Sequence, residues 1–323
     1  MIFCNKIQPQ MQAEVILASS TADAATLYTL RGRLPRCIWP EVLTHRKKSR
    51  NGRSSRAVPV SKMIEEIMDD PFVPWHWGAN QSGMQAGEEC NEHINIFHDN
   101  GDIELYPQKR EEAWLYARDH AVRHAKAFDN AGYHKQIVNR LLEPFMWIDV
   151  VLSSTDWINF SWLREHKDAE PHLQDWADLV GKAIHAANVQ KLAPGEWHLP
   201  YITEQDYIDV RDKLTGHGVL RKVPTEKEIN TLLLKISSSR CARVSYKLFD
   251  GTNPSINDDL ALYEKLMSSD RIHASPMEHQ GTPDVWVTNE LLEEGGFFIE
   301  EASHGNFEGW IQHRKLIPGE CHT

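Results

Sequence analysis

The sequence predicts a mixed α+β domain in which a mixed sheet accompanies a large helical segment. Three observations carry that expectation. Stretches that read as strands lie near both ends, apolar positions recur at three- and four-residue steps through the middle, and large side chains are plentiful. The 323 residues are 41% hydrophobic and include 11 Trp, 10 Phe and 8 Tyr, which excludes a chain disordered throughout. No apolar run reaches the roughly 18 residues that a membrane span needs, and no basic segment followed by an apolar core opens the chain. The expectation is one domain over 1–323 acting in the cytoplasm, with no membrane partner. It comprises a basic segment over 1–70, a helical segment over 100–200 and a closing segment over 225–323.

Residues 14–30 mix Val, Ile, Leu, Thr and Ala, and read as a strand followed by a short helix or a second strand, punctuated by Pro35 and Pro40. Met63, Ile64 and Ile67 give a short helix over 61–68 that ends before Pro71. Residues 71–87 hold Pro, Gly, Asn and two Trp, and form a loop. Trp114, Ala117, Ala121, Ala125 and Phe128 keep helical spacing, with Gly132 placed to cap the C-terminus. A second helix is expected through Ile137, Leu141, Leu142 and Phe145, a third over 157–163 and a fourth over 173–187. A loop over 195–200 precedes a helix over 225–236, where Thr225 and Glu228 have capping-box spacing. Ala242 to Tyr246 alternates as a short strand does, and 258–267 is helical again.

Charge is distributed unevenly. The chain carries −11 in total, yet between Arg31 and Arg56 nine basic residues face one acid, Glu41. One concentrated cationic stretch in an acidic protein points to a focused anion site rather than a general nucleic-acid surface, although a solvated basic loop has the same composition. The five cysteines (Cys4, Cys37, Cys90, Cys241, Cys321) are scattered and never form C-x-x-C, so they predict packing thiols rather than a disulfide framework or a zinc site.

Three constellations carry chemistry. In Thr44-His45-Arg46-Lys47-Lys48-Ser49-Arg50-Asn51-Gly52-Arg53-Ser54-Ser55-Arg56, cations alternate with hydroxyls and an amide. That set suits phosphate and ribose oxygens, while the P-loop and G-x-G-x-x-G patterns are both missing. The second constellation is Arg271-Ile272-His273-Ala274-Ser275-Pro276-Met277-Glu278-His279, whose spacing fits no familiar zinc pattern, so no metal is expected. The third sets Arg140, Asn159 and Arg164 beside apolar helix positions, where each arginine needs a charge partner: a structural carboxylate or a ligand.

Together these residues resemble the flavin-dependent thymidylate synthase family, in its divergent phage-type branch. The family signature R-H-R, seven residues, then S reads here Thr44-His45-Arg46, seven residues, Ser54, followed by Arg56. A strand ending A-R-V-S and a segment H-x-[ST]-P-[FM]-E-H match Ala242 to Ser245 and His273 to His279. An arginine before a leucine-rich helix and an N-F-x-x-L-R match Arg140 and Asn159 to Arg164. The blocks come in rotated order, because the segment that opens usual members closes this chain, as in a circular permutation. Thr44 stands where the family has its leading arginine and Gly52 where a glutamate is frequent. Gly309-Trp310-Ile311-Gln312-His313-Arg314 is a weaker echo of the same signature, with no separate role assigned.

The resemblance implies a permuted fold of that family and transfer of a one-carbon unit from methylenetetrahydrofolate to C5 of dUMP. FAD would supply the hydride and NADPH would be the reductant. By the same resemblance Arg164 stabilises negative charge on the uracil ring, and Ser54, Arg56 and Arg140 clamp the dUMP phosphate. His45, Arg46, Asn159, Ser245, Ser275 and Glu278 contact FAD, and His273 lies near flavin and folate. Arg164, His273 and Ser54 are the implied catalytic group, although no general base that would make Ser54 a nucleophile is evident. A homotetramer with sites where subunits meet is also implied. Two alternatives stay open. On the same scaffold water could replace hydride, giving a dUMP or dCMP hydroxymethylase; or the basic stretch could grip RNA or DNA, against which stands the lack of an aromatic residue between His45 and Arg56.

Overall fold

The computed structural model describes residues 11–84, 87–97, 101–216, 223–244, 253–268, 271–289 and 295–321. The opening apolar stretch forms two antiparallel strands, β1 (Gln12–Ser20) and β2 (Leu27–Pro35), with a bulge between Val15 and Leu17. Of the two alternatives for this stretch, the second strand is the one observed. After Pro35 the chain turns through α1 (Trp39–Val42) into β3 (Ser49–Gly52), a strand made from the centre of the basic stretch. Beyond it lie α2 (Val60–Asp69), the hairpin β4 (Ile94–Phe97) and β5 (Ile103–Gln108), and α3 (Arg110–Asn130). Gly132, at φ 84°, takes the left-handed conformation just past the end of α3.

Pro144 limits the next helix. The helix expected through Phe145 is α4 (Lys135–Val138) continued by a 3-10 turn, Asn139–Phe145, because proline offers no N–H to an α-helical ladder. Next comes β6 (Trp147–Ser154), a strand that the sequence pattern does not announce within the helical segment. All residues from Val150 to Ser154 are buried, and a strand covered on both faces shows no alternation to read. Then come α5 (Ile158–Arg164), α6 (Pro171–His185), β7 (Gln190–Lys191) and α7 (Glu204–Thr215).

The chain closes with α8 (Glu226–Arg243), α9 (Ile256–Met267), a 3-10 turn at Ser275–Glu278, and the short strands β8 (Gly281–Pro283), β9 (Trp286–Thr288), β10 (Gly296–Phe298) and β11 (Trp310–Gln312). Thr225 and Glu228 form the expected capping box. The expected strand at Ala242 is instead the end of α8, while Ser245 and Tyr246 lie outside the described residues. The helix persists there because Arg240, 2% exposed, points inward to Asp206 and Asp259, an ion pair whose burial demands full hydrogen bonding. Among the described residues no helix is long and apolar enough to cross a membrane.

The main sheet has the order β3-β6-β2-β1-β7, antiparallel except for β1 with β7, so the class is α+β with a mixed sheet. Successive side chains alternate between its faces. One face sends Leu30, Leu34, Ile148, Val150 and Leu152 against Leu173, Trp176, Ala177 and Val180 of α6. Gly32 permits that approach, since a Cβ there would stand 2.9 Å from the Trp176 ring.

The other face is polar yet buried. The Asn51 amide, oriented to donate to the carbonyls of Ser275 and Arg50, also donates to His279 Nε2 at 3.1 Å. His279 then carries its proton on Nδ1 and donates to Ser153 Oγ (2.9 Å), which lies 2.6 Å from Thr29 Oγ1. Thr29 Oγ1 is hydrogen-bonded to His198 Nε2 (2.8 Å), and His198 Nδ1 to Ser19 Oγ (2.7 Å). The result is one continuous hydrogen-bonded row across β3, β6, β2 and β1.

This packing has two measurable consequences. Burial holds His198 and His279 down at about 3, below the ordinary 6.5. Unfolding lets them take up protons, so their stabilising contribution is whole above pH 6.5 and falls with acid by up to ~1.4 kcal/mol per pH unit for each. Thermal melts between pH 6.5 and 4.5 should show that decline, with a shallower slope in His279→Asn. Gly309, at φ 79°, has no room for a methyl group, which would fall 2.2 Å from Ala24 Cβ. Gly309→Ala should therefore cost about 2–4 kcal/mol in a denaturant titration.

Candidate functional site

β3 is the strand from which the site is built. Paired to β6 at the sheet edge, it fixes the residues on its N-terminal side in a run of tight turns, with Thr44, His45 and Lys48 N–H groups donating to Glu41, Val42 and His45 carbonyls. Ser154 Oγ and Asn306 Nδ2 both donate to the Lys47 carbonyl, gripping the turn from two sides. His45 packs edge-on to Phe160 at 4.9 Å, and its Nε2 accepts from Arg164 Nε at 2.9 Å. Burial, with Arg164 and Lys48 nearby, pushes His45 down to about 4. At neutral pH its Nε2 is therefore an acceptor and Nδ1 its donor. Arg164 also reaches Thr44 Oγ1 (3.1 Å) and Glu41 (3.4 Å), so its charge partner is a carboxylate of the same turn.

The second half of the site comes from the far end of the chain. The Ser275–Glu278 turn docks on β3 through the Asn51 amide and His279. Gln312, 2% exposed, donates to the Glu278 carbonyl (3.0 Å) and to Asn306 Oδ1 (2.7 Å). Arg314 bridges the Glu278 and Glu320 carboxylates. Between the halves opens a cleft of about 730 Å³, lined by Arg46, Lys48, Arg50, Ser275, Glu278, Glu301, Asn306, Gln312, Arg314 and Lys315. A smaller cleft of about 340 Å³, lined by Thr44, His45, Asp156, Asn159, Phe160 and Arg164, shares Arg46 and Lys48 with it. In the larger cleft five cations meet two carboxylates, one of them, Glu278, bound to Arg314. An anion is the ligand such a lining favours.

Two stretches more than 200 residues apart thus share one site. His45, Arg46, Asn159 and Arg164 line the small cleft, and Arg46, Ser275 and Glu278 the large one. No protein-family model and no curated protein matches this chain.

Other candidate residues lie elsewhere. β3 runs antiparallel to β6, with Ser49 opposite Ser153, Gly52 opposite Val150, and Arg53 N–H on the Asp149 carbonyl. Ser54 therefore lies about 16 Å along the strand from Ser49, at the other end. Asn139 Nδ2 donates to the Ser55 and Val58 carbonyls and Lys135 to that of Ala57, which brings Arg140 to the same end. Ser54, Arg56 and Arg140 are all exposed there and line neither cleft. Within one chain the expected phosphate clamp and the expected cofactor cradle are separate, because extended backbone cannot fold back over so few residues. His273 is exposed, lines neither cleft, and its N–H is bound to the Leu266 carbonyl. Ser245 lies outside the described residues.

Sequence patterns single out none of Lys48, Asn51, His279, Asn306, Gln312 and Arg314 individually. The Gln312-His313-Arg314 echo is the available signal: two of its three residues clamp the Glu278 turn. Arg314→Met leaves Glu278 without its cation, while Glu320 keeps Lys315, so stability should fall by about 1–3 kcal/mol, discounted for partial exposure. Denaturant melts measure it, and Arg314→Lys should recover only part, since one ammonium cannot reproduce the fork.

Proposed function

We propose that this chain is a flavin-dependent enzyme that transfers a one-carbon unit from methylenetetrahydrofolate to C5 of dUMP, on a permuted flavin-dependent thymidylate synthase-like scaffold. One observation carries the reading: the Thr44–Arg50 stretch and the Ser275–Glu278 turn, at opposite ends of the sequence, line one cation-rich cleft. The larger cleft falls within the size range of cofactor pockets. Its guanidinium groups suit a diphosphate, and Ser275 and Asn306 add polar partners, so the residues present fit FAD. Arg46, Arg50 and Lys48 would hold the phosphates, with His45, Asn159, Ser275 and Glu278 on the remainder. A bound, reduced flavin would supply the hydride, with NADPH as the reductant.

The protein's own part is electrostatic. Arg164 stands fixed by Glu41, Thr44 and His45, so its charge needs no reorganisation when the uracil N3 and carbonyl oxygens become negative. Neutral His45 holds Arg164 without adding a competing charge. Ser54, Arg56 and Arg140, remote within the chain, would clamp the dUMP phosphate of a neighbouring subunit's site, with His273 approaching flavin and folate across the same boundary. A homotetramer satisfies that requirement.

Purified protein should show flavin absorption, alone or after FAD is added. With dUMP, methylenetetrahydrofolate, FAD and NADPH, mass spectrometry should find dTMP. A product heavier by one oxygen would move the assignment to the hydroxymethylase, and dCMP tests the base. Colourless protein whose nucleic-acid affinity falls steeply with salt would replace the enzyme reading by a binding module. Arg164→Lys should lose about 10²- to 10³-fold in turnover with the fold retained.

A further inference from the structure

Lys48 is the most unusual charge in the molecule. It is 3% exposed, and its ammonium has one hydrogen bond, to the Asp156 carbonyl at 2.9 Å. The rest of its surroundings are aromatic, with the Trp157 ring centre at 3.6 Å and that of Phe160 at 4.8 Å. Lys47, not Lys48, is the lysine within 4.0 Å of the Asp156 carboxylate. Among the described residues Lys48 makes no ion pair. An ammonium has three donors, and burying one without a counter-charge is costly even over aromatic faces. Yet Lys48 lines both clefts, which share it with Arg46.

We infer that Lys48 is the anchor for a diphosphate group, and that one diphosphate-bearing ligand lies across both clefts with its charge over this ammonium. The inference deepens the flavin reading, since it names the group by which such a ligand would be held. Arg46 and Arg50 stand on the same stretch to share the second phosphate.

The anchor is pH-dependent. Burial pushes the Lys48 ammonium down to about 7, the Asp156 carboxylate opposing the shift. His45 is neutral, having been driven to about 4, Arg164, Arg46 and Arg50 are guanidinium groups, and Lys47 points to solvent against Asp156 and Glu308. Affinity for a diphosphate is therefore full below pH 7 and lost as pH rises and the amine becomes neutral.

The test titrates the whole protein with FAD and, separately, with ADP-ribose, both diphosphate diesters of constant charge from pH 6 to 9. Wild type should bind both, weakening by about tenfold per pH unit above 7. Lys48→Met should bind about 10- to 100-fold more weakly at pH 6.5, with a flat profile. Lys48→Arg should keep the affinity and lose the pH dependence. Circular dichroism checks that the variants fold, and the wild-type profile decides the question if Lys48→Met does not. FAD binding that is flat with pH and indifferent to Lys48 overturns the inference and leaves the flavin reading intact. ADP-ribose binding that depends on Lys48, in protein that refuses FAD, sinks the flavin reading alone. Binding of neither ligand overturns both.

Discussion

The row of hydrogen bonds across the polar face of the main sheet is the constraint on which the site depends. Serine, threonine and histidine side chains at the centre of a sheet are costly unless each finds a partner, and here each does. Both histidines are neutral, so each gives the row one ring N–H and one acceptor nitrogen. The row ends on the amide that also holds the Ser275 carbonyl. A polar interior, satisfied throughout, thereby ties the last third of the chain to the edge strand that carries the cationic turn. An apolar face in its place would pack as well, but would not fix where that turn docks.

Much of the fold was legible because its signals are local. Capping residues announced α8, periodicity gave α3, α5 and α6, and the β-branched and apolar mixture near the start gave β1 and, as one of two alternatives, β2. What escaped was decided by tertiary context. β6 is buried on both faces, so it lacks the polar positions by which a strand is told from a core helix. The strand expected over Ala242 to Tyr246 begins inside the end of α8, where Ala242 and Arg243 stay helical because the Arg240 guanidinium has two buried carboxylates to satisfy.

The site was legible in its two halves and not in its joints. His45, Arg46, Arg164, Ser275 and Glu278 belong to patterned stretches, and their meeting across the clefts was expected from those patterns. Lys48 reads in the sequence as one cation among nine, and only its burial against Trp157 and Phe160 distinguishes it. Gln312 and Arg314 lie far along the chain from everything they hold. Side chains that act by supporting others leave no spacing rule behind them.

β3 also sorts the positive charge. Its four residues separate His45 and Lys48, tucked against α5, from Ser54 and Arg56, which project near the 135–140 turn. The cationic stretch is consequently a rod with two basic poles and a sheet edge between them, not a single patch. A mononucleotide is shorter than the rod and can engage only one pole of a given protomer. Any reaction that needs both poles on one small molecule makes assembly a requirement of chemistry and not merely of stability.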